Sequence, residues 1–187
     1  VGNESPESLR MAFLRNGAAA VAQLEQQSHV RFRARALHPD YNSDLPGATL
    51  KGRVLEAMPF DGRRLKTLLG LVREPIPEFT ILGGMMVNQE DVLNLLAATR
   101  SPKALLHSLK ILGRHARDRL THDRGTRLMM GNALIARLLL SLHERHVPIL
   151  MQTQIDSIAV EGGRVTGVTL GKGGPVACNT AVNAAGT

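Results

Sequence analysis

Apolar residues in this chain recur at a helical interval as far as His146 and alternate from Ile149 onward. A period near 3.6 lays side chains on one face of a helix, and a period of 2 lays them on one face of a strand. No single element satisfies both, so the order of the two periods dictates helices first and a small sheet last. The fold class expected is α/β, mixed and helix-rich: a helical segment plus a small β-hairpin or sheet.

The helical part has clear starts. Ser5-Pro6-Glu7-Ser8 offers a hydroxyl cap, a proline in the first turn and an acid near the positive helix end. Leu9, Phe13, Val21 and Leu24 then mark an apolar face running to about Gln27. Val30 to Ala36 alternates apolar and basic residues and predicts a half-exposed strand. From His38 to Pro77 prolines and glycines recur too often for long elements, which predicts a long, loop-rich stretch. Glu78 to Leu82 predicts a short strand ending at Gly83-Gly84, and Asn88 caps a helix through Ala98. Ser101-Pro102 starts another helix reaching about Leu120, with Lys103, His107, Lys110, Arg114 and Arg117 on one basic face. The strongest pattern predicts a helix over 132–146: Leu134, Leu138 and Leu142 stack on one face, Ile135 and Leu139 widen it, and Pro148 follows its end. Beyond it, Ile149 to Val160 reads as one or two strands and Glu161-Gly162-Gly163 as a hairpin turn. Arg164 to Leu170 is the returning strand, Gly171 to Pro175 a second turn, and Cys178 to Ala184 a final strand.

Composition narrows the class. With 187 residues and 43 % apolar content the chain can bury a core as one domain, or one with an appendage, which excludes a disordered chain. One cysteine, Cys178, excludes a disulfide framework or a multi-cysteine metal site. No apolar run approaches the ~18 residues that would span a bilayer, and the polar start lacks a signal-peptide layout. A reducing compartment, most simply the cytoplasm, is expected. The formal charge of +7 admits a polyanion-binding surface, or solubility with a few local anion contacts. Aromatics are 3 % and no recognition-helix or single-strand motif accompanies the scattered arginines, so no nucleic-acid partner is expected. A basic helical binding module without catalysis stays as the rival class. The chain begins at Val1 and stops at Asn183-Ala-Ala-Gly-Thr187, which reads as the interior piece of a larger protein.

Little of the usual catalytic vocabulary occurs. His143 and His146 are three apart, but no second cluster joins them, and the expected metal content is none. There is no G-x-S-x-G, no Walker A sequence and no G-x-G-x-x-G. The distinctive piece is the last third. Its first strand can offer a backbone amide and carbonyl to the edge of an adenine. Its final strand ends on Ala184, Ala185 and Gly186, which lack bulk and let main chain approach a dinucleotide closely.

Gly125-Thr-Arg-Leu-Met-Met-Gly-Asn-Ala-Leu134, the helix after it, Val147-Pro-Ile-Leu-Met-Gln-Thr-Gln-Ile155 and Gly163-Arg-Val-Thr-Gly-Val168 resemble the interior of the fumarate reductase and ketosteroid dehydrogenase flavoprotein family. Pro39-Asp-Tyr41, Pro46-Gly47, Gly52-Arg53, Pro59-Phe-Asp-Gly-Arg63 and Gly83-Gly-Met-Met-Val87 resemble its ketosteroid-dehydrogenase-like branch. The likeness runs from about residue 30 to the end. It implies an incomplete piece of an FAD-binding domain, with 1–125 a helical and loop-rich insertion and 126–187 the helix and sheet portion contacting FAD. It implies hydride transfer at a carbon–carbon bond next to a carbonyl, on a steroid-like ketone, or alternatively on a dicarboxylate in a fumarate-type reductase. By the same likeness Ile155 contacts adenine through its main chain, and Ala184-Ala185-Gly186 takes the place of the family's A-T-G step. The other reading of Ile155 is an ordinary core strand residue, and of the Ala-Ala-Gly step a plain strand end. Tyr41 is the candidate acid or base. A phenol with an ordinary pKa of about 10 needs help from its surroundings for that work. The other reading of Tyr41 is a loop residue packed on Pro39 or Pro46. Arg124 and Arg127, just before the strongest helix, could face a flavin or substrate. The isolated piece is expected to be inactive and to self-associate through a bare sheet edge and an exposed apolar face.

Overall fold

The computed structural model describes residues 5–171 and 174–177. They fall into two compact units, one ending at His146 and the other beginning at Val147. Together they form the mixed, helix-rich arrangement that the change of period implies, with several small antiparallel sheets.

The first unit opens with α1 (Glu7–Gln27), which begins where the Ser-Pro-Glu start predicts, but Pro6 is the capping residue and the expected hydroxyl cap is not made. Its apolar stripe is left largely bare: Leu9 and Phe13 are exposed, and no residue of the helix is buried. Periodicity sets which side chains share a face. Whether anything covers that face is a tertiary matter. Strand β1 (Phe32–Ala34) pairs antiparallel with β2 (Leu55–Ala57), Phe32 facing Ala57.

The Pro- and Gly-rich stretch is more structured than its punctuation suggests. It holds β2, β3 (Phe60–Asp61) and a 3₁₀ segment over Gly62–Leu71, kinked at Lys66 where φ is 52°. Short elements tolerate such punctuation because each needs only a few residues between breaks. Strands β4 (Thr80–Ile81) and β5 (Met85–Met86) close a hairpin over Gly83-Gly84, both at positive φ. Helix α2 (Gln89–Ala97) starts with a full capping box: Asn88 Oδ1 accepts from the Asp91 N–H and the Asp91 carboxylate accepts from the Asn88 N–H. Helix α3 (Pro102–Arg119) is capped by Ser101 and buries Ala104, Ser108, Ile111, His115 and Asp118 along one stripe.

Strand β6 (Arg127–Leu128) pairs with β3, Phe60 facing Leu128, and leads into α4 (Met130–Glu144). The core gathers here: Phe60, Leu65, Leu69, Val72 and Leu128 pack against Ala133, Ala136, Leu139 and Leu140 of α4. The buried face of α4 is therefore not the leucine stack expected. Ile135 and Leu142 are exposed, and the two alanines face inward. Small side chains let the helix sit close on the 3₁₀ segment, and the leucine count alone cannot show that. Gly62 illustrates the tightness: its N–H donates to the Thr126 carbonyl at 2.7 Å, and a Cβ there would lie 3.0 Å from that oxygen.

The second unit is a three-stranded antiparallel meander, β7 (Ile155–Glu161), β8 (Arg164–Leu170) and β9 (Gly174–Ala177). Gly162 and Gly163 make the predicted turn at φ 56° and 77°, the pair of positive values that a type I′ hairpin requires. Two differences from the sequence reading appear. Residues 149–154 are outside the strand. And β9 starts at Gly174, inside the expected second turn, with Leu170 facing Gly174. The expected strand from Cys178 to Ala184 lies outside the described residues.

Candidate functional site

A dense set of polar contacts in the first unit surrounds the strap that carries the chain from α3 into α4. Asp118, 2 % exposed on α3, accepts from the Thr126 N–H at 3.0 Å and from its hydroxyl at 2.6 Å. Arg124 donates to the carbonyls of Val72 and Arg73, and Asn132 donates to the Arg73 carbonyl. Arg127 makes a two-pronged contact with Asp91, Nη1 to Oδ2 at 2.7 Å and Nη2 to Oδ1 at 3.3 Å. His107 Nε2 also reaches Asp91 Oδ1, at 2.9 Å, and must donate, since a carboxylate only accepts. Arg124 and Arg127 both donate to neighbours within this unit, and Arg124 Nε is buried without a hydrogen-bond partner.

Asp91 is 1 % exposed, so this is a buried carboxylate with several donors. Burial alone pushes its pKa up. The hydrogen bonds from Arg127, the Asn88 N–H and His107, with the charge of Arg127, outweigh burial and hold the carboxyl below the usual range. Arg114 lies between Asp61 (Nη2 to Oδ1, 3.1 Å) and Asp118 (Nε to Oδ2, 3.9 Å), at ion-pair distance but without hydrogen-bond alignment. Two of the five residues expected on one basic face of α3, His107 and Arg114, therefore face acids from neighbouring elements. Sequence reasoning missed Asp91, Asp118 and this ion-pair set. The Asn88-x-x-Asp91 cap was visible, but nothing in the spacing pairs Asp91 with Arg127.

The strap ends on a strained step. Met130, the first residue of α4, sits at φ 47°, and the capping residue Met129 offers no side-chain acceptor to the helix amides. A groove of about 460 Å³, lined by Ala34, Arg35, Ala36, Leu37, Leu93 and Asn94 among others, runs along β1 and the start of α2.

The residues singled out from sequence are placed as follows. Tyr41 belongs to the first unit and is fully exposed, on a turn next to Asp40, whose carboxylate accepts from the Thr49 N–H and pairs with Arg53. It does not line the groove, nor does Ile155. Ile155 is the first residue of β7, half-buried, facing Leu170, with a register shift between it and Ser157 that leaves Asp156 as a bulge. Ala184, Ala185 and Gly186 lie outside the described residues. Among the described residues no group of three or more His, Cys, Asp or Glu side chains could hold a metal ion. Their helices include none long and apolar enough to cross a membrane.

Comparison with known proteins defines the class. A family described as FAD binding domain matches residues 1–186, and the chain belongs to that family. More particularly, it is 38 % identical over 133 residues to a 3-oxosteroid 1-dehydrogenase of Mycolicibacterium smegmatis, a match covering 70 % of this chain and 22 % of that protein. It is 30 % identical over 161 residues to a 4-oxocyclohex-2-ene-1-carboxylate 5-dehydrogenase of Sinomonas cyclohexanicum, covering 83 % of this chain and 27 % of that one. Among solved structures it is similar to the 3-ketosteroid delta1-dehydrogenase of Sterolibacterium denitrificans in complex with 1,4-androstadiene-3,17-dione. There the TM-score is 0.72 and the identity 27 %, over 90 % of this chain and 31 % of that chain. The chain thus spans well under half the length of these relatives.

FAD is the cofactor of this family, and one feature of the second unit fits it. Strand β7 is the edge of its meander, so among the described residues its outer row of N–H and C=O groups has no strand partner. Such a free row is what a strand needs to offer main-chain donors and acceptors to a flat heterocycle.

Proposed function

We propose that this chain is the interior of the FAD-binding part of a flavin-dependent dehydrogenase that desaturates a ring next to a ketone, in the manner of the 3-oxosteroid 1-dehydrogenases. The observation that carries the reading is the agreement of the family over residues 1–186, of sequence over 70 % of the chain and of fold over 90 % of it. The second relative, whose name denotes an oxo-substituted cyclohexene, supports a ring ketone as the shared substrate feature. No observation favours a dicarboxylate.

When bound, FAD supplies the acceptor for the hydride leaving one carbon of the new double bond. The neighbouring carbon must lose a proton to a base, and the electron pair left behind completes the double bond. Within this chain Ile155 is proposed to hold the adenine edge with its amide and carbonyl. Ala184, Ala185 and Gly186 are proposed to let main chain come close to the dinucleotide. Tyr41, on an exposed turn, is proposed as the acid or base at the ketone end on the likeness of Pro39-Asp-Tyr41 to the family. Residues 1–125 would then serve as the helical insertion and 126–187 as the part that meets the cofactor. The single cysteine supports a reducing compartment such as the cytoplasm. The bare stripe of α1 supports self-association of the isolated chain.

The test uses the whole protein. It should purify with a flavin absorbance spectrum and convert a 3-oxosteroid to its 1-ene with a dye as electron acceptor. Y41F should keep the flavin spectrum and lose about 10²-fold or more in kcat, the scale of general acid–base catalysis. A colourless protein that cannot be loaded with FAD overturns the cofactor reading. A yellow protein inert on ring ketones overturns the substrate reading, and an unimpaired Y41F overturns the role of Tyr41.

A further inference from the structure

We propose that Arg64 and Arg137, beside Phe60 and near Arg31, form a binding site for an oxyanion of the phosphate or carboxylate class. The inference rests on charge accounting in the first unit and is independent of the flavin reading. Six arginines of this unit pair with acids at close range: Arg33 and Arg35 with Glu56, Arg53 with Asp40, Arg63 and Arg114 with Asp61, Arg127 with Asp91. Among the described residues no carboxylate lies within ion-pair distance of Arg31, Arg64 or Arg137. These three cations nevertheless stand near one another. The guanidinium carbons of Arg64 and Arg137 are each 5.3 Å from the centroid of the Phe60 ring.

Arg137 is half-buried on α4 and staples the chain below it. Nε donates to the Met58 carbonyl at 3.2 Å, Nη1 to that of His29 at 2.8 Å and Nη2 to that of Pro59 at 2.9 Å. Arg31 is likewise turned onto carbonyls, those of Glu25, Ser28 and Val30. Carbonyl dipoles satisfy donors but do not cancel a full charge. Burial lowers the Arg137 pKa, and the positive charges of Arg31 and then Arg64 lower it further. An anion would relieve that repulsion.

The donors for one are at hand. Each terminal nitrogen of Arg137 has a second N–H beyond the one it gives to a carbonyl. Arg64 is exposed, with its guanidinium beside the Phe60 ring. Its full set of N–H groups is free to turn toward an incoming ligand. A guanidinium fork matches two oxygens of a phosphate or carboxylate, and a partly desolvated one binds them more strongly than one in bulk water.

The experiment compares the whole protein with R64Q at matched ionic strength in chloride, phosphate and acetate. Melting is followed, and binding of radiolabelled inorganic phosphate is measured by equilibrium dialysis. We expect a saturable rise in melting temperature with phosphate over chloride, and about tenfold weaker phosphate binding in R64Q, the loss expected for one charge-assisted hydrogen bond. A matching rise in acetate shows that carboxylates are accepted too, and a rise in phosphate alone restricts the site to phosphates. Chloride matching phosphate in effect, or R64Q binding phosphate as tightly as wild type whatever its melting temperature, overturns the proposal. Flavin content, read from the same samples, reports on the cofactor reading separately.

Discussion

The substitution D91N tests whether the strap before α4 is held by a buried ion pair. Asp91 is 1 % exposed and receives four hydrogen bonds: two from Arg127 and one each from His107 and the Asn88 N–H. The amide is nearly isosteric but neutral, and one of its two polar atoms can no longer accept. Removing one partner of a buried pair costs about 3–5 kcal/mol, because the other charge stays behind without compensation. The Arg127 side chain is 20 % exposed and recovers some hydration, so the lower end, about 3 kcal/mol, is expected. A loss of that size is a large share of the ~5–15 kcal/mol typical of a domain. Urea unfolding at neutral pH measures it.

The pH dependence gives a second reading of the same pair. The carboxyl of Asp91 is held below its ordinary value in the folded state. A depressed folded pKa contributes stability that is complete above the unfolded pKa, about 3.9, and is lost as pH falls through the folded value. The gap between wild type and D91N should therefore be widest near neutrality and shrink below about pH 4. A penalty under about 1 kcal/mol, or a gap that stays constant into acid, would refute the argument. The double-mutant cycle with R127Q should show coupling of the two changes, and plain additivity would mean the contact carries no energy of its own.

Two further changes probe backbone and surface. G62A places a methyl 3.0 Å from the Thr126 carbonyl oxygen and the Leu69 Cδ1, and should cost about 1–3 kcal/mol by thermal or urea unfolding. G17A, in the interior of α1 with nothing within 4 Å of the new methyl, should stabilise by about 0.5–1 kcal/mol. Equal effects at the two sites would show that the close approach at Gly62 is not felt. The isolated chain should self-associate through α1, where Leu9, Phe13 and Leu14 are 63 %, 77 % and 70 % exposed. Sedimentation at rising concentration should show this for wild type and reduce it for L9E/F13E. A monomer at high concentration would remove α1 as the contact.

Local chemistry was readable from residues alone. The Pro6-Glu7 start, the Asn88 and Ser101 caps, the Gly162-Gly163 turn and the switch of period after His146 each act within a few positions, so a window of sequence contains their whole cause. The family likeness was legible for a related reason: the order and spacing of short segments survive even where each segment is loose. What sequence could not supply was contact between distant residues. Asp91 and Arg127 are 36 positions apart, and Thr126 meets Gly62 across a gap of 64. Their pairing follows from how β3, β6, α2 and α3 pack.

The same distinction governs burial and charge. The sequence determined that α4 is a helix and that three arginines lie at positions 31, 64 and 137. Only the tertiary structure decided that Ala133 and Ala136 join Leu139 and Leu140 against the core while Ile135 and Leu142 stay exposed, since the space beneath a helix is set by the element it rests on. Only the tertiary structure brought Arg64 and Arg137 to one phenylalanine ring with no acid between them. Periodicity fixes direction along one element. Distance between elements is fixed by packing, and electrostatic energy depends on that distance.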